Sequence, residues 1–262
     1  MGILNVTPDS FYDGGRYLSP QQALERAERM VGEGVDIIDI GGESTRPFST
    51  PVDEREEIRR ILPVVRRLAG RLEVPLSVDT YKAGVARAAL EEGVEIINDI
   101  SGLTFDPAMA DVAAQHDAGL ILMHIRGVPG NMQENPVYDD LLAEVDRFLQ
   151  ASMNHAVNAG VSRERIVLDP GIGFGKGLED NYALIRAIAY FRRHGQPVLV
   201  GPSRKSFIYK VLDCTPEDAL EGTISAVIFC YLYGADIIRV HDVGPMRRAL
   251  AIAGRFVGEG AG

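Results

Sequence analysis

The stretch GVDIIDIGGEST (34–45) sets a glycine before a short Ile-rich run and ends in a polar exit. The glycine suits the end of a helix, where left-handed backbone closes the last turn. The run after it is short and largely β-branched, as a strand buried on both faces is. The same phrase recurs in GVEIINDISG (93–102), AGLILMHIRG (118–127) and GADIIRVHDVG (234–244). Four further stretches share its strand-then-polar half: GILNVTPDS (2–10), PLSVDTYK (75–82), RIVLDPGIG (165–173) and PVLVGPSRK (197–205). Helical patterns lie between them, as in PQQALERAERMVGEG (20–34), DEREEIRRILPVVRRLAG (53–70), YKAGVARAALEEG (81–93) and DDLLAEVDRFLQASMNHAVNAG (139–160). Pro63 is expected to kink or break the second of these.

About eight strand–helix units predict an α/β fold with a parallel sheet inside a ring of helices. Eight units in 262 residues read as a (β/α)8 TIM barrel with its site at the carboxyl ends of the strands. The alternative is an open doubly wound sheet, which usually shows a phosphate fingerprint after its first strand. Here GILNV is followed by TPDSF, which is no such fingerprint. No linker divides the chain, so residues 1–257 are read as one domain and 258–262 as a disordered tail.

Composition narrows the function. A net charge of −10 argues against nucleic-acid or anionic-membrane partners, which need basic surface. No apolar run approaches the roughly 20 residues that span a bilayer. Cys214 and Cys230 form no C-x-x-C pair and read as reduced, packed thiols, which points to the cytoplasm.

Reading the strand exits in order gives Asn5, Asp39, Asp79, Asn98 with Asp99, His124, Asp169, Ser203 to Lys205, and Arg239 with His241. Singly, several suit helix caps; converging on one rim, they make a site. Asp79, Asn98 and Asp169 can read a ring that carries amino and imino N–H groups. Lys205, Arg239 and His241 supply positive charge for an anion. Asn5 offers a neutral oxygen that Mg²⁺ tolerates beside phosphate. Arg239 and His241 share a strand face and could instead serve a structural ion pair. His124 could wall the site or be a buried, satisfied histidine. His116, His155 and His194 read as surface residues. DPGIGFGKG (169–177) looks like a phosphate loop but fails the spacing, with Pro170 where a glycine is required and Gly177 where Ser or Thr is required. Lys176 is expected to be solvated.

Eight blocks carry a family resemblance: GILNVTPDSFYDGG, GGESTRP, SVDTYK, NDISG, MHIRGVPGNMQ, DPGIGFGK, GPSRKSF and RVHDV. In this order, and over nearly the whole length, the chain resembles the dihydropteroate synthases, a pterin-binding enzyme family of sulfonamide targets. The resemblance implies transfer of a pterinylmethyl group from a dihydropterin diphosphate to 4-aminobenzoate, with diphosphate released. It implies a pterin site of Asp79, Asn98, Ile100, Met123, Asp169, Phe174, Gly201 and Lys205. Asn5, Thr45, Arg239 and His241 would hold the diphosphate, with Mg²⁺ on Asn5. Phe11, Asp13, Thr45, Arg46, Pro47 and Ser206 would close over 4-aminobenzoate. Lys205, Arg239, His241 and Asp79 would carry the catalysis. A homodimer is implied as well. Phe48 stands where the family usually has glycine, which puts the shape of the ESTRP loop in question. The chain also opens at the first strand, where members usually carry a hairpin below the barrel, so an open base or a shortened chain is expected. The rivals are a pterin-binding methyltransferase, which needs no diphosphate clamp, and a pterin-binding protein without activity.

Overall fold

Parallel pairing runs in chain order around a closed cylinder. The structure is a computed structural model and describes residues 1–7, 19–45 and 49–258. Its strands are β1 (Gly2–Asn5), β2 (Ile38–Gly41), β3 (Leu76–Asp79), β4 (Ile96–Asp99), β5 (Gly119–Met123), β6 (Ile166–Asp169), β7 (Leu199–Val200) and β8 (Ile237–Ile238). All eight fall on the expected stretches. β1 to β6 form one sheet and β7 pairs with β8. Two bridges, Leu168 with Val198 and Gly2 with Val240, join these pieces into a ring. Backbone bonds seal the last seam, with Ile3 N donating to Val240 O at 3.0 Å and Val240 N to Met1 O at 2.9 Å. The open doubly wound alternative is thereby excluded.

Outside their polar exits the strands are largely apolar, because their outward face is buried under the helices. Ile38, Ile40, Val78, Ile97, Leu120, Leu122 and Leu168 point outward into the main core, against Ala27, Ile61, Val85, Met109, Leu149 and Val227 of the surrounding helices. Each of the larger contacts is worth about 2–5 kcal/mol by truncation to Ala. A separate cluster of Met1, Ile121 and Leu199, with Ile37, Ile96, Val167 and Ile237, fills the lumen near the amino ends of the strands. Inward positions alternate, so two residues beyond Ile37 and Ile237 stand Asp39 and Arg239. The lumen therefore passes from an apolar plug to a charged mouth.

Helix starts follow the local chemistry. Ser19 and Gln22 cap the helix Pro20–Gly32 reciprocally, at 3.2 and 3.0 Å, which is worth about 1 kcal/mol. Asp53 accepts from Glu56 N at 2.9 Å and opens the helix Glu54–Leu68. That helix runs unbroken through Pro63, against the expectation of a break. Ile61, Val64, Val65 and Leu68 are buried on one stripe, and that packing outweighs the hydrogen bond which the proline removes. The tail residues 259–262 lie outside the described residues.

Candidate active site

The carboxyl ends of β2, β3, β4 and β8 bring four charged or polar side chains together inside the lumen. Arg239 Nε donates to Asp39 Oδ2 at 2.6 Å, and its Nη2 donates to Asp79 Oδ2 at 2.6 Å. Asn98 Nδ2 donates to Asp39 Oδ2 at 3.0 Å. A carboxylate only accepts, so this bond fixes the Asn98 amide and turns its Oδ1 toward a ligand's donor. Asp79 Oδ1, Asp39 Oδ1 and Ser77 Oγ are buried with no hydrogen-bond partner. Such groups are costly unless something else satisfies them.

Electrostatics reflect this crowding. Burial pushes the Asp79 carboxyl up to about 7, although Arg239 opposes the shift. Asp169, at the end of β6, is raised to about 6, also chiefly by burial. Its Oδ1 accepts from Gly171 N at 2.7 Å. Burial works against the charge on Arg239, yet Asp39 and Asp79 outweigh it and raise its pKa. The structural ion pair and the site residue are thus the same arginine.

Ile100, Met123 and Phe174 join Ile125 and Met132 in a small apolar cluster, edged by Tyr81 and Phe105. This cluster is separate from the main core and supplies a flat wall. Lys205 extends over the Phe174 ring, with Nζ 3.9 Å from its centroid. A Cβ on Gly173 would lie 2.9 Å from Lys205 Cδ, so the bare backbone there seats the lysine stem. Gly201 lies beside Arg239, whose Cβ would be 3.8 Å from one added at that glycine. Opposite, a Cβ on Gly41 would come within 3.2 Å of Asn5 Oδ1 and 3.8 Å of Asp79 Oδ2. That glycine keeps a gap between two oxygens.

His241 Nδ1 lies 3.0 Å from Ser203 Oγ, and its backbone N donates to the same oxygen at 3.3 Å. Ser203 Oγ thus anchors the ring and the backbone of His241 together, giving or taking the Nδ1 bond according to the tautomer. Arg204 grips Asp242 through both oxygens, at 2.8 and 2.9 Å, and ties the loops after β7 and β8 together. Ser206 opens the helix Ser206–Leu212. Thr45 is half-buried beyond Gly41. Phe11, Asp13, Arg46, Pro47 and Phe48 lie outside the described residues.

Three expectations change. Lys176 is not solvated: it is 3 % exposed, and Nζ lies 2.7 Å from His124 Nδ1 and donates to His124 O at 3.0 Å. His124 is accordingly a buried, satisfied histidine, with Phe148 edge-on at 4.8 Å. His194 is not a surface residue either, since Nε2 meets Asp146 Oδ1 at 2.7 Å and its side chain is 10 % exposed. Asp99 serves its own turn, accepting from Ser101 N, Ser101 Oγ and Leu103 N at 2.7–2.8 Å.

The sequence placed Asp39 on the rim but gave it no role; it is the shared acceptor beneath the site. Its signal was available: an acid two residues after Ile37 in an apolar strand points the same way into the barrel. Sequence reasoning missed Glu43, which accepts from Tyr81 OH at 2.6 Å and Val52 N at 3.2 Å and pairs with Lys82. Lys82 binds Glu57 as well, at 2.5 Å. This knot pins the segment before Thr45 to the loop after β3.

Among the described residues, no three His, Cys, Asp or Glu side chains are grouped to hold a metal ion. Nor is any helix long and apolar enough to cross a membrane.

A family model described as pterin binding enzyme matches residues 1–241. Dihydropteroate synthase from Synechocystis sp. is 49 % identical over 254 residues, which are 97 % of this chain and 88 % of that protein. A crystal structure of Yersinia pestis dihydropteroate synthase with a sulfonamide drug complex superimposes with a TM-score of 0.92 at 44 % identity, covering 96 % of this chain and 91 % of that one. Xanthomonas albilineans dihydropteroate synthase with 4-aminobenzoic acid gives 0.91 at 41 % identity, covering 98 % and 92 %.

Proposed function

The chain belongs to the pterin-binding enzymes and, within them, to the dihydropteroate synthases, and we propose that its rim performs their condensation by loss of diphosphate before amine attack. The observation that carries this order is the burial of two carboxylates, Asp79 and Asp169, beside the cations Arg239 and Lys205 and the donor ring of His241. One half accepts from the N–H edge of a dihydropterin; the other receives an anion.

In this reading the pterin lies on the wall of Ile100, Met123 and Phe174. Asp169 and Asn98 Oδ1 accept from its amino and ring N–H groups, Asp79 Oδ1 takes another, and Lys205 donates to ring acceptors. The bond between the pterinyl methylene carbon and the diphosphate oxygen then breaks, and the electron pair leaves with the diphosphate. The His241 ring and Arg239 donate to the oxygens on which charge grows. The electron-rich ring, held between carboxylates, stabilises the methylene cation that remains. The amine of 4-aminobenzoate attacks with its lone pair, forms the C–N bond and releases a proton to solvent or diphosphate. A neutral arylamine needs placement more than activation. Thr45, Ser206 and the loop residues Phe11, Asp13, Arg46 and Pro47 are assigned to that placement and to keeping water from the cation.

Mg²⁺ is assigned to the space at Gly41, beside Asn5 Oδ1. Asn5 would contribute one neutral oxygen, and substrate phosphate and water the rest, a mixture this ion prefers over an all-protein cage. Bound there, it would neutralise charge on the leaving group. The exposed Phe229, Leu232, Ile252 and Phe256 on the helices Leu220–Leu232 and Val243–Val257 support assembly as a homodimer. The acidic chain and its unpaired thiols support action in the cytoplasm, without nucleic acid or membrane partners.

Diphosphate release tests the function. Mixing the protein with dihydropterin methyl diphosphate, 4-aminobenzoate and Mg²⁺ should yield diphosphate and dihydropteroate in equal amounts. Binding of the pterin with no release of diphosphate would leave only a binding protein, and chelation without effect would remove the metal from the scheme.

A further inference from the structure

Lys176 belongs to the phosphate-like stretch DPGIGFGKG, and no step above uses it. Its amine is nevertheless buried. Nζ donates to the carbonyl oxygen of His124 at 3.0 Å and meets Nδ1 of the same residue at 2.7 Å. A Cβ added at Gly171 would lie 3.0 Å from Nζ and 1.9 Å from His124 O. The amine, the Gly171 backbone and the end of β5 therefore occupy one small space. Gly171 N in turn donates to Asp169 Oδ1, and His124 N donates to Asp169 O at 3.0 Å. Asp169 is thus held by His124, the partner of Lys176, and by the Gly171 turn that packs against both.

The charges around the amine are Asp169, Lys205 and Asp180, the first and last favouring its protonation and Lys205 opposing it. Arg126 faces the His124 side. Burial lowers the Lys176 pKa well below that of a free lysine. Burial, with Lys176 and Arg126, also lowers His124 to about 2, so its ring stays neutral and Nδ1 can accept. A ring protonated at both nitrogens would set its charge against the lysine and break the joint.

We propose that Lys176 is a positioning residue for pterin recognition: through His124 and the Gly171 turn it holds Asp169 at the angle from which the carboxylate accepts the ring's N–H groups. This deepens the reading of the site as a pterin pocket and rests on it. Lys176 touches neither substrate. Its loss should therefore act on one substrate and one kinetic constant.

The test is Lys176→Met, which keeps the length of the stem and removes the amine. Expected are a loss of about tenfold or more in affinity for 6-hydroxymethylpterin, the scale of one hydrogen bond to a charged group, and an equal rise in KM for the pterin diphosphate. kcat and the affinity for inorganic diphosphate should stay within about threefold. A folded variant with unchanged pterin affinity overturns the proposal. So does an equal loss of pterin and diphosphate binding, which would mark general distortion. Should the variant fail to fold, ¹⁵N spectra of the native protein decide: Nδ1 of His124 should remain a bare acceptor with Nε2 protonated from pH 8 to pH 5. Titration of that ring near 6 would overturn the joint. A native protein that binds no pterin would sink the proposed function instead, whatever the variant does.

Discussion

Asp39 and Asp79 share the guanidinium of Arg239, which donates to each at 2.6 Å. Each keeps its other oxygen, Oδ1, buried and without a hydrogen-bond partner. Asp39 spends its paired oxygen on Asn98 and Arg239 together, so it orients the two residues on either side of it. The result is that Asp39, shared by Arg239 and Asn98, aims both of its neighbours.

Pterin binding should fail in acid. Both ligand carboxylates must be ionised to accept N–H bonds, and burial raises Asp79 to about 7 and Asp169 to about 6. Affinity for 6-hydroxymethylpterin should fall by about tenfold between about pH 7 and 6, and by about a hundredfold per pH unit below about 6. Calorimetric titration between pH 5 and pH 8 checks this. A flat profile would show that neither carboxylate takes the ring.

The same shifts act in the opposite sense on the ligand-free protein. A carboxyl whose folded pKa is raised stabilises the fold fully below its unfolded value, near 4, and loses that contribution as pH rises through 6 and 7. Asp169→Asn should therefore melt higher than the native protein at pH 8, with little gain at pH 5. It should also lower kcat/KM by about a hundredfold or more, the scale of two charge-assisted hydrogen bonds. Melting curves at the two pH values provide the comparison.

Arg239→Met should leave two buried acids unpaired and cost about 3–5 kcal/mol. The loss should be larger at pH 8 than at pH 5, where Asp79 takes up a proton. Adding Asp39→Asn should restore part of the stability and none of the diphosphate release. Denaturant unfolding of the single and double variants measures that coupling; strict additivity would dissolve the pair.

Gly171→Ala should be far worse than Gly195→Ala, although both glycines have positive φ, 73° and 76°. At 195 nothing lies within 4 Å of an added Cβ, whereas at 171 the His124 carbonyl oxygen stands at 1.9 Å. The first should cost only the left-handed strain of about 1–2 kcal/mol. The second must move the chain, and should abolish pterin binding. Equal stability and equal binding in the two variants would contradict the packing.

Much of this was legible in the sequence because it depends on local rhythm. The Gly–strand–polar phrase places all eight strands, and strand parity places Asp79, Asn98, Asp169 and Arg239 on one mouth. Of the kink or break expected at Pro63, the break is absent because the stripe of Ile61, Val64, Val65 and Leu68 is a tertiary force, and propensity does not record it. Lys176 was misread for the same reason. A lysine two residues after a phenylalanine looks solvated until the Gly171 turn folds it under His124. Ser203, one residue before an arginine and two before the lysine of the site, gave no hint that it holds His241 until β7 and β8 stood side by side.

The plug of Met1, Ile121 and Leu199 with its neighbours makes the lumen a blind well. Traffic through it is last in, first out. A ring seated on Asp79 and Asp169 must enter before anything that rests above it, and the arylamine can arrive only onto an occupied floor. The joined product can leave only as one body through the opening by which its halves came. Kinetics of the two substrates should accordingly be ordered, with inhibition by 4-aminobenzoate analogues absent from the protein that holds no pterin.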